Sequence, residues 1–341
     1  MSKTVHDLQT PALLVDTAAL QTNLATMAVA LPGSRLRPHV KAHKCSHLAQ
    51  LQRAHGAAGF TCATVREVEG MAAAGLGEDL LLANEVLDAS RLGVLVAAGH
   101  RVTVAVDSEE TIRSAGAAGV REVLVDVNVG LPRCGCPPED AGRLADLARA
   151  RGLTVRGVMG YEGHLMLVAD VEERRAQTEQ CMNRLSAAHS DVGGDVVSAG
   201  GTGTYAINTW ASEIQAGSYA LMDTAYGALP DLAFGQALFL LGRVVSQTKA
   251  ANDVPGWAVI DVGLKSHAMD HGNPTVPGGT VWFCSDEHTT WQPADADRVR
   301  LGDLVRVLPA HVDPTVVLHE RLHLVDGDEV IDVWPVDLRG W

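Results

Sequence analysis

The strongest constraint on the fold is an alternation that runs from Val15 to about Leu240, in which short apolar, mostly β-branched runs are each followed by a longer Ala/Leu/Arg-rich stretch of helical period. The strand candidates are Leu36–Val40, Gly59–Cys62, Asp79–Leu82, Val102–Val106, Val123–Val127, Gly157–Tyr161, Val196–Ala199, and Glu213–Gln215 or the segment just after it. Helix candidates between them include Thr17–Ala30, His47–Ala57, Val65–Ala74, Ser108–Ala118, Pro138–Ala150 and Val171–His189. Eight such units predict an α/β fold of the (β/α)8 TIM-barrel kind, whose functional rim lies at the C-terminal ends of the strands. After Leu240 the texture changes to short strands such as Arg243–Lys249, Trp257–Asp261, Val281–Cys284, Leu304–Val307, His319–Leu324 and Glu329–Val333. Turns such as Asn252-Asp253, Pro277-Gly278-Gly279 and Asp326-Gly327-Asp328 separate them, which predicts an antiparallel β domain. The expected division is residues 10–240 for the barrel and 241–341, with 1–9, for the β domain.

Composition narrows the function classes. Formal net charge is −14, which argues against nucleic acid or an anionic membrane as partner, since both are bound by basic faces that displace counterions. No stretch approaches twenty uninterrupted apolar residues, and the start lacks the apolar core of a signal peptide, so a cytoplasmic location is expected. The six cysteines are scattered without a CxxC pair, which fits reduced thiols better than a disulfide framework.

Three constellations carry chemistry. The run Arg37-Pro38-His39-Val40-Lys41-Ala42-His43-Lys44 puts Lys41 one residue past a predicted strand, where a partly desolvated amine can hold a cofactor aldehyde as a Schiff base. Taken alone, it also fits a solvated basic loop. Ser198-Ala199-Gly200-Gly201-Thr202-Gly203-Thr204 ends a strand in glycines and hydroxyls, and Gly217-Ser218-Tyr219 follows one barrel unit later. Such turns let backbone N–H groups approach a phosphate, and late barrel strands are where phosphates commonly bind. His311 and Asp313 are one residue apart, so on an extended segment both side chains leave one face and can share a divalent ion such as Mn²⁺, Zn²⁺ or Mg²⁺. By itself an HxD pair fits a hydrogen-bonded pair equally well.

These pieces occur in the order of one family. With Thr10 to Asp16, Arg133-Cys134-Gly135, Tyr161-Glu162-Gly163-His164 and His311-Val312-Asp313-Pro314-Thr315, the chain resembles the fold-type III pyridoxal-phosphate enzymes with an alanine-racemase-like barrel. Within that group it is most similar to D-threonine aldolases, 3-hydroxy-D-aspartate aldolases and D-serine dehydratases. The resemblance implies that Lys41, the first of the two lysines, carries pyridoxal 5′-phosphate, and that Arg133 points at the cofactor's 3′-oxygen. It implies that Tyr161 is a neutral partner facing the pyridine nitrogen, with Gly201, Thr202, Gly217, Ser218 and Tyr219 around the phosphate. His311 and Asp313 would hold the metal, and His164 comes with the motif as a candidate base, a metal-bound water being the other. His39, His43 and His267 are secondary candidates, read mainly as supporting or core histidines.

The expected activity is cleavage of a D-β-hydroxy-α-amino acid, of the D-threonine or 3-hydroxy-D-aspartate type, to glycine and an aldehyde. Dehydratases of this resemblance carry cysteine where Asp313 stands, so the aspartate favours the aldolase over β-elimination from D-serine. A racemase needs no metal, and a non-catalytic pyridoxal-phosphate-binding protein normally lacks the residues after Leu240. A homodimer is expected, because a barrel mouth beside a β domain leaves the cofactor and an apolar rim to be covered.

Overall fold

The computed structural model describes residues 3–250, 255–295 and 298–341; the turn expected at Asn252-Asp253 lies outside them. The described residues form two compact units, one from residues up to Leu24 with Ser218–Asp337, the other from Ala25–Gly217 with Leu338–Trp341.

The second unit is the barrel. Numbering strands along the whole chain from β1 (Ala12–Asp16), it contains β2 (Phe60–Cys62), β3 (Leu80–Leu82), β4 (Val102–Val106), β5 (Glu122–Asp126), β6 (Thr154–Met159), β7 (Val196–Ala199) and β8 (Glu213–Ile214). They form one parallel sheet in sequential order. Covered on both faces, such strands read as continuous apolar runs, as Leu80–Leu82 and Val102–Val106 do. The eighth stave, expected as a strand over Leu36–Val40, is reduced to two parallel bridges, Leu36 to Ile214 and His39 to Thr61. Pro38 has no N–H to give, so the stave closes the ring with three bonds: Arg37 N–H to Ile214 O at 2.9 Å, His39 N–H to Ala216 O at 3.0 Å, and Thr61 N–H to Pro38 O at 2.9 Å. The chain then tightens into a 3₁₀ turn over Val40–Ala42.

The N-terminal ends of the staves carry an ion network. Asp79, just before β3, accepts from Arg37 (3.1 Å) and Arg156 (3.1 Å), Arg37 also meets Glu213 at 2.8 Å, and Arg101 meets Glu122 at 2.9 Å. Burial alone would raise the Asp79 pKa, but the Arg37 and Arg156 guanidiniums more than offset it and hold the carboxyl below its ordinary value. Its contribution to stability is therefore present above the ordinary carboxylate range and is lost as pH falls through the lowered value. Arg37→Ala strands the buried Glu213 carboxylate, while Asp79 keeps Arg156, and should cost about 3–5 kcal/mol of unfolding free energy by urea titration. A loss under about 1 kcal/mol would mean that the network is solvent-screened. Charge spent on stability thus sits at one end of the barrel, and the opposite rim is free for function.

The other unit is built on an eight-stranded sheet. It contains β1, β9 (Leu238–Thr248), β10 (Trp257–Ile260), β11 (Gly279–Cys284), β12 (Thr289–Pro293), β13 (Leu304–Val307), β14 (Arg321–Asp326) and β15 (Glu329–Pro335). The spatial order is β11-β12-β10-β9-β1-β14-β15, with β13 also on β9. The structure divides the chain differently from the expected 240/241 boundary. β1 pairs antiparallel with β9 and parallel with β14, placing Leu13, Leu14 and Val15 in the interior of this unit, and Ser218 onward groups with it too. No helix among the described residues is long and apolar enough to cross a membrane.

Candidate active site

At the C-terminal rim of the barrel, Lys41 and Arg133 converge on Tyr161. The Lys41 Nζ is 5.7 Å and the Arg133 Cζ 5.5 Å from the centroid of the Tyr161 ring, both within cation–π range. Neither cation forms an ion pair among the described residues, so the rim salt bridge that Arg133 could have made with a carboxylate is not formed. The other lysine of the run is committed: Lys44, at φ +44°, pairs with Glu67, which is fully buried and also accepts the Ala63 N–H at 2.5 Å. His43 is buried, its Nε2 3.2 Å from Gln52 Oε1 and its Nδ1 accepting the Cys45 N–H, while His39 Nδ1 accepts the Lys41 N–H at 3.4 Å. The histidines of the run fix the turn from which Lys41 projects.

Beside Tyr161 a cavity is lined by Glu85, Asp126, Asn128, Arg133 and Cys134. Burial, and then the neighbouring Glu85, push the Asp126 carboxyl well above its ordinary value. Arg133 is the cation among the residues that line this cavity. His164 turns to Cys181 (Nε2 to Sγ 4.0 Å) and to Gly130, on whose added Cβ its ring would lie at 3.3 Å. It borders the loop that carries Arg133 and does not join the Lys41–Tyr161 pair.

The glycine turn after β7 is closely packed. A Cβ on Gly201 would stand 2.7 Å from Met166 Sδ, and one on Gly203 would stand 2.1 Å from the Met166 carbonyl oxygen. Gly200 sits at φ +77°, where side-chain-bearing residues are strained. Thr202 is buried in the same turn. Gly217 follows β8, and a Cβ there would meet the His39 carbonyl at 2.6 Å; Ser218 and Tyr219 begin the next unit in a short 3₁₀ turn, with Tyr219 against Phe234. Glu162, which the sequence reading gave no role, is wholly buried beneath the turn.

In the other unit the HxD pair meets further ligand-type groups. The expected extended segment ends at His311, which caps a short helix, Val312–Val316, so Asp313 lies in its first turn. The two still converge: His311 Nε2 is 3.6 Å from Asp313 Oδ2. On the opposite edge, His311 Nδ1 is 2.6 Å from Asp270 Oδ2, and His271 stacks on the imidazole at 4.0 Å between centroids. Thr315 donates to the His311 carbonyl (2.6 Å) and accepts the Ala268 N–H (3.1 Å), tying the loop of Asp270 and His271 to the helix start. Asp223 accepts the Val312 N–H at 2.8 Å. Burial opposes protonation of His311, yet Asp313 and Asp270 together raise its pKa to about 8, so the position favours a cation. Asp270, His271 and His311 each offer a ligand atom within 4.8 Å of the others. Asp270 and His271 lie some forty residues before the motif, with no spacing signal to reveal them. His267, also nearby in sequence, is buried and its pKa is lowered by burial.

Comparison with known proteins supplies the class. Residues 15–225 match the alanine racemase N-terminal domain and residues 237–325 a putative serine dehydratase domain. The chain belongs to the fold-type III pyridoxal-phosphate enzymes with an alanine-racemase-like barrel. Within it, the chain is 34% identical to a D-threonine aldolase of Arthrobacter sp and 33% identical to a 3-hydroxy-D-aspartate aldolase of Paracoccus denitrificans (strain Pd 1222), each over 98% of this chain and 93% of the relative. The crystal structure of a D-threonine aldolase from Filomicrobium marinum superposes with a TM-score of 0.91 at 34% identity, covering 100% of this chain and 98% of that one. A D-threo-3-hydroxyaspartate dehydratase from Delftia sp. HT23 gives 0.89 at 26% identity, covering 99% and 100%.

Proposed function

We propose that this protein is a pyridoxal-phosphate-dependent, divalent-metal-assisted aldolase that cleaves D-β-hydroxy-α-amino acids to glycine and an aldehyde. The observation that carries the reading is the carboxylate of Asp313 beside His311, a donor pair suited to hard or borderline ions such as Mn²⁺, Zn²⁺ or Mg²⁺, joined to whole-chain similarity to two kinds of aldolase. The residues present fit the cofactor: an amine without an ion pair, a guanidinium facing the same ring, and a turn too tight for side chains at Gly201 and Gly203. When bound, pyridoxal phosphate supplies an electron sink at the substrate's α-carbon. A divalent ion supplies acidity to a hydroxyl that it coordinates.

Lys41 would hold the cofactor through its amine. Arg133 would face the cofactor's 3′-oxygen, and Tyr161 would face the pyridine nitrogen as a neutral partner. Gly201, Thr202 and Gly217 would hold the phosphate from the barrel's late turns. His311, through Nε2, and Asp313, through a carboxylate oxygen, would hold the ion. Asp270 accepts the His311 Nδ1–H, which fixes the tautomer whose Nε2 lone pair is available to a metal. His164, turned to Cys181 and bordering the Arg133 loop, supports that loop and is not placed to take the hydroxyl proton.

Product analysis with D-threonine, D-3-hydroxyaspartate and D-serine, with and without Mn²⁺, tests the reading. Glycine with acetaldehyde or glyoxylate is the expected result; pyruvate and ammonia from D-serine as the main product would replace it with the dehydratase. No disulfide joins the six cysteines among the described residues, and we assign the protein to the cytoplasm. Exposed Trp341, Trp282 and Phe283 support a homodimer, whereas Trp334 is buried within its own chain and does not offer itself to the contact. Light scattering at micromolar concentration should give twice the 36.0 kDa chain mass; a monomer would refute it.

A further inference from the structure

Glu162 stands next to Tyr161 in sequence but serves the glycine turn after β7. It is 0% exposed. Its Oε2 accepts the Gly200 N–H at 3.1 Å, and its Oε1 accepts from the Thr204 hydroxyl at 2.9 Å and from Asn208 Nδ2 at 3.0 Å. The Thr204 hydroxyl in turn accepts the Gly201 N–H at 3.3 Å. No ion pair to Glu162 occurs among the described residues. A buried carboxylate without a counter-ion is costly, and here three donors, all from the turn and the segment that follows it, are what compensate.

An amide could not replace it. Both ends of the carboxylate accept, and a glutamine would aim N–H hydrogens at Gly200 on one side or at Thr204 and Asn208 on the other. Packing on Met166 and one backbone bond, Thr204 N–H to Gly201 O at 3.2 Å, also hold the turn, but three of its residues are glycines, which leaves it more freedom to lose. We propose that Glu162 is the positioning residue of the phosphate cradle, clamping both ends of the Gly200–Thr204 turn from inside so that it is preorganised before the phosphate arrives. This rests on the reading of that turn as the phosphate site. The opposing effect is charge, since an anion beneath the turn also repels a phosphate. The two effects predict opposite signs for Glu162→Gln.

The test measures dissociation constants of the full chain, freed of cofactor, for pyridoxal phosphate and for pyridoxal. The constant for pyridoxal divided by that for pyridoxal phosphate isolates recognition of the phosphate from recognition of the ring. Glu162→Gln should shrink the ratio about tenfold or more while pyridoxal binding stays within about twofold. Asn208→Ala, a milder change that removes one donor and keeps the charge, should shrink it less in the same direction, and it covers the case in which Glu162→Gln does not fold. Thr202→Val should shrink the ratio if the turn binds phosphate at all. An unchanged or larger ratio in the Glu162 and Asn208 variants, or equal weakening of both ligands, would overturn the inference while leaving the phosphate reading intact if Thr202→Val still responds. An unchanged ratio in all three would overturn both.

Discussion

Lys41→Ala is expected to abolish turnover, by on the order of 10⁴-fold or more, and to leave the purified protein without covalently retained cofactor. The wild-type protein should be yellow and should carry a borohydride-fixed label on the peptide containing Lys41. The structure separates this residue from its neighbour in the run. Lys41 projects from the 3₁₀ turn without an ion pair and sits 5.7 Å from the Tyr161 centroid, whereas Lys44 neutralises the fully buried Glu67. Lys44→Ala should therefore act mainly on stability, by about 3–5 kcal/mol, because it leaves a buried carboxylate without its cation. Lys41→Ala should keep the wild-type unfolding midpoint within a small margin. Recovery of the borohydride label on Lys44, or turnover surviving in Lys41→Ala, would sink the assignment.

The same run shows what a sequence can and cannot disclose. Strand–helix alternation exposed the barrel because buried parallel strands must be apolar on both faces, and Val102–Val106, Val196–Ala199 and Thr17–Ala30 lie where the pattern puts them. Arg37 and Lys41 sit four residues apart in one motif, yet Arg37 belongs to the ion network at the N-terminal ends and Lys41 to the opposite rim. An extended stave advances about 3.3 Å per residue, so four residues carry the chain from one end of a short barrel toward the other. Residue order reveals the motif but not that division of labour. The apolar run of β1, Leu13-Leu14-Val15, fits the interior of either unit, and only pairing with β9 and β14 decides. Glu162 and Asp270 were illegible for a related reason. Each acts on a residue distant in sequence, Gly200 and Thr204 for the first and His311 for the second, and a single acidic side chain carries no periodicity.

Loss of the metal is the other change with a large expected effect. Chelation confirmed by elemental analysis, or Asp313→Ala, should lower aldol cleavage by roughly 100- to 1,000-fold, the equivalent of the several kcal/mol a Lewis acid contributes at a developing alkoxide. Cofactor colour should persist, because Lys41, Arg133 and the glycine turn do not depend on His311 or Asp313. Asp313→Cys separates ligand identity from ligand presence: a thiolate selects softer ions, so this variant should retain Zn²⁺, lose its response to Mn²⁺ and Mg²⁺, and tilt the products toward β-elimination. Asp270→Ala supplies the geometric control. If Asp270 fixes the His311 tautomer from the Nδ1 side, its removal should weaken divalent-ion affinity about 10- to 100-fold while the ion still binds one per chain. If Asp270 and His271 are themselves the ligands, with His311 coordinating through Nδ1, then Asp270→Ala would abolish binding and Asp313→Ala would spare it. Full cleavage of D-threonine by a metal-free preparation would return both arrangements to a structural role, since the ion would then have no part in the loss of the hydroxyl proton.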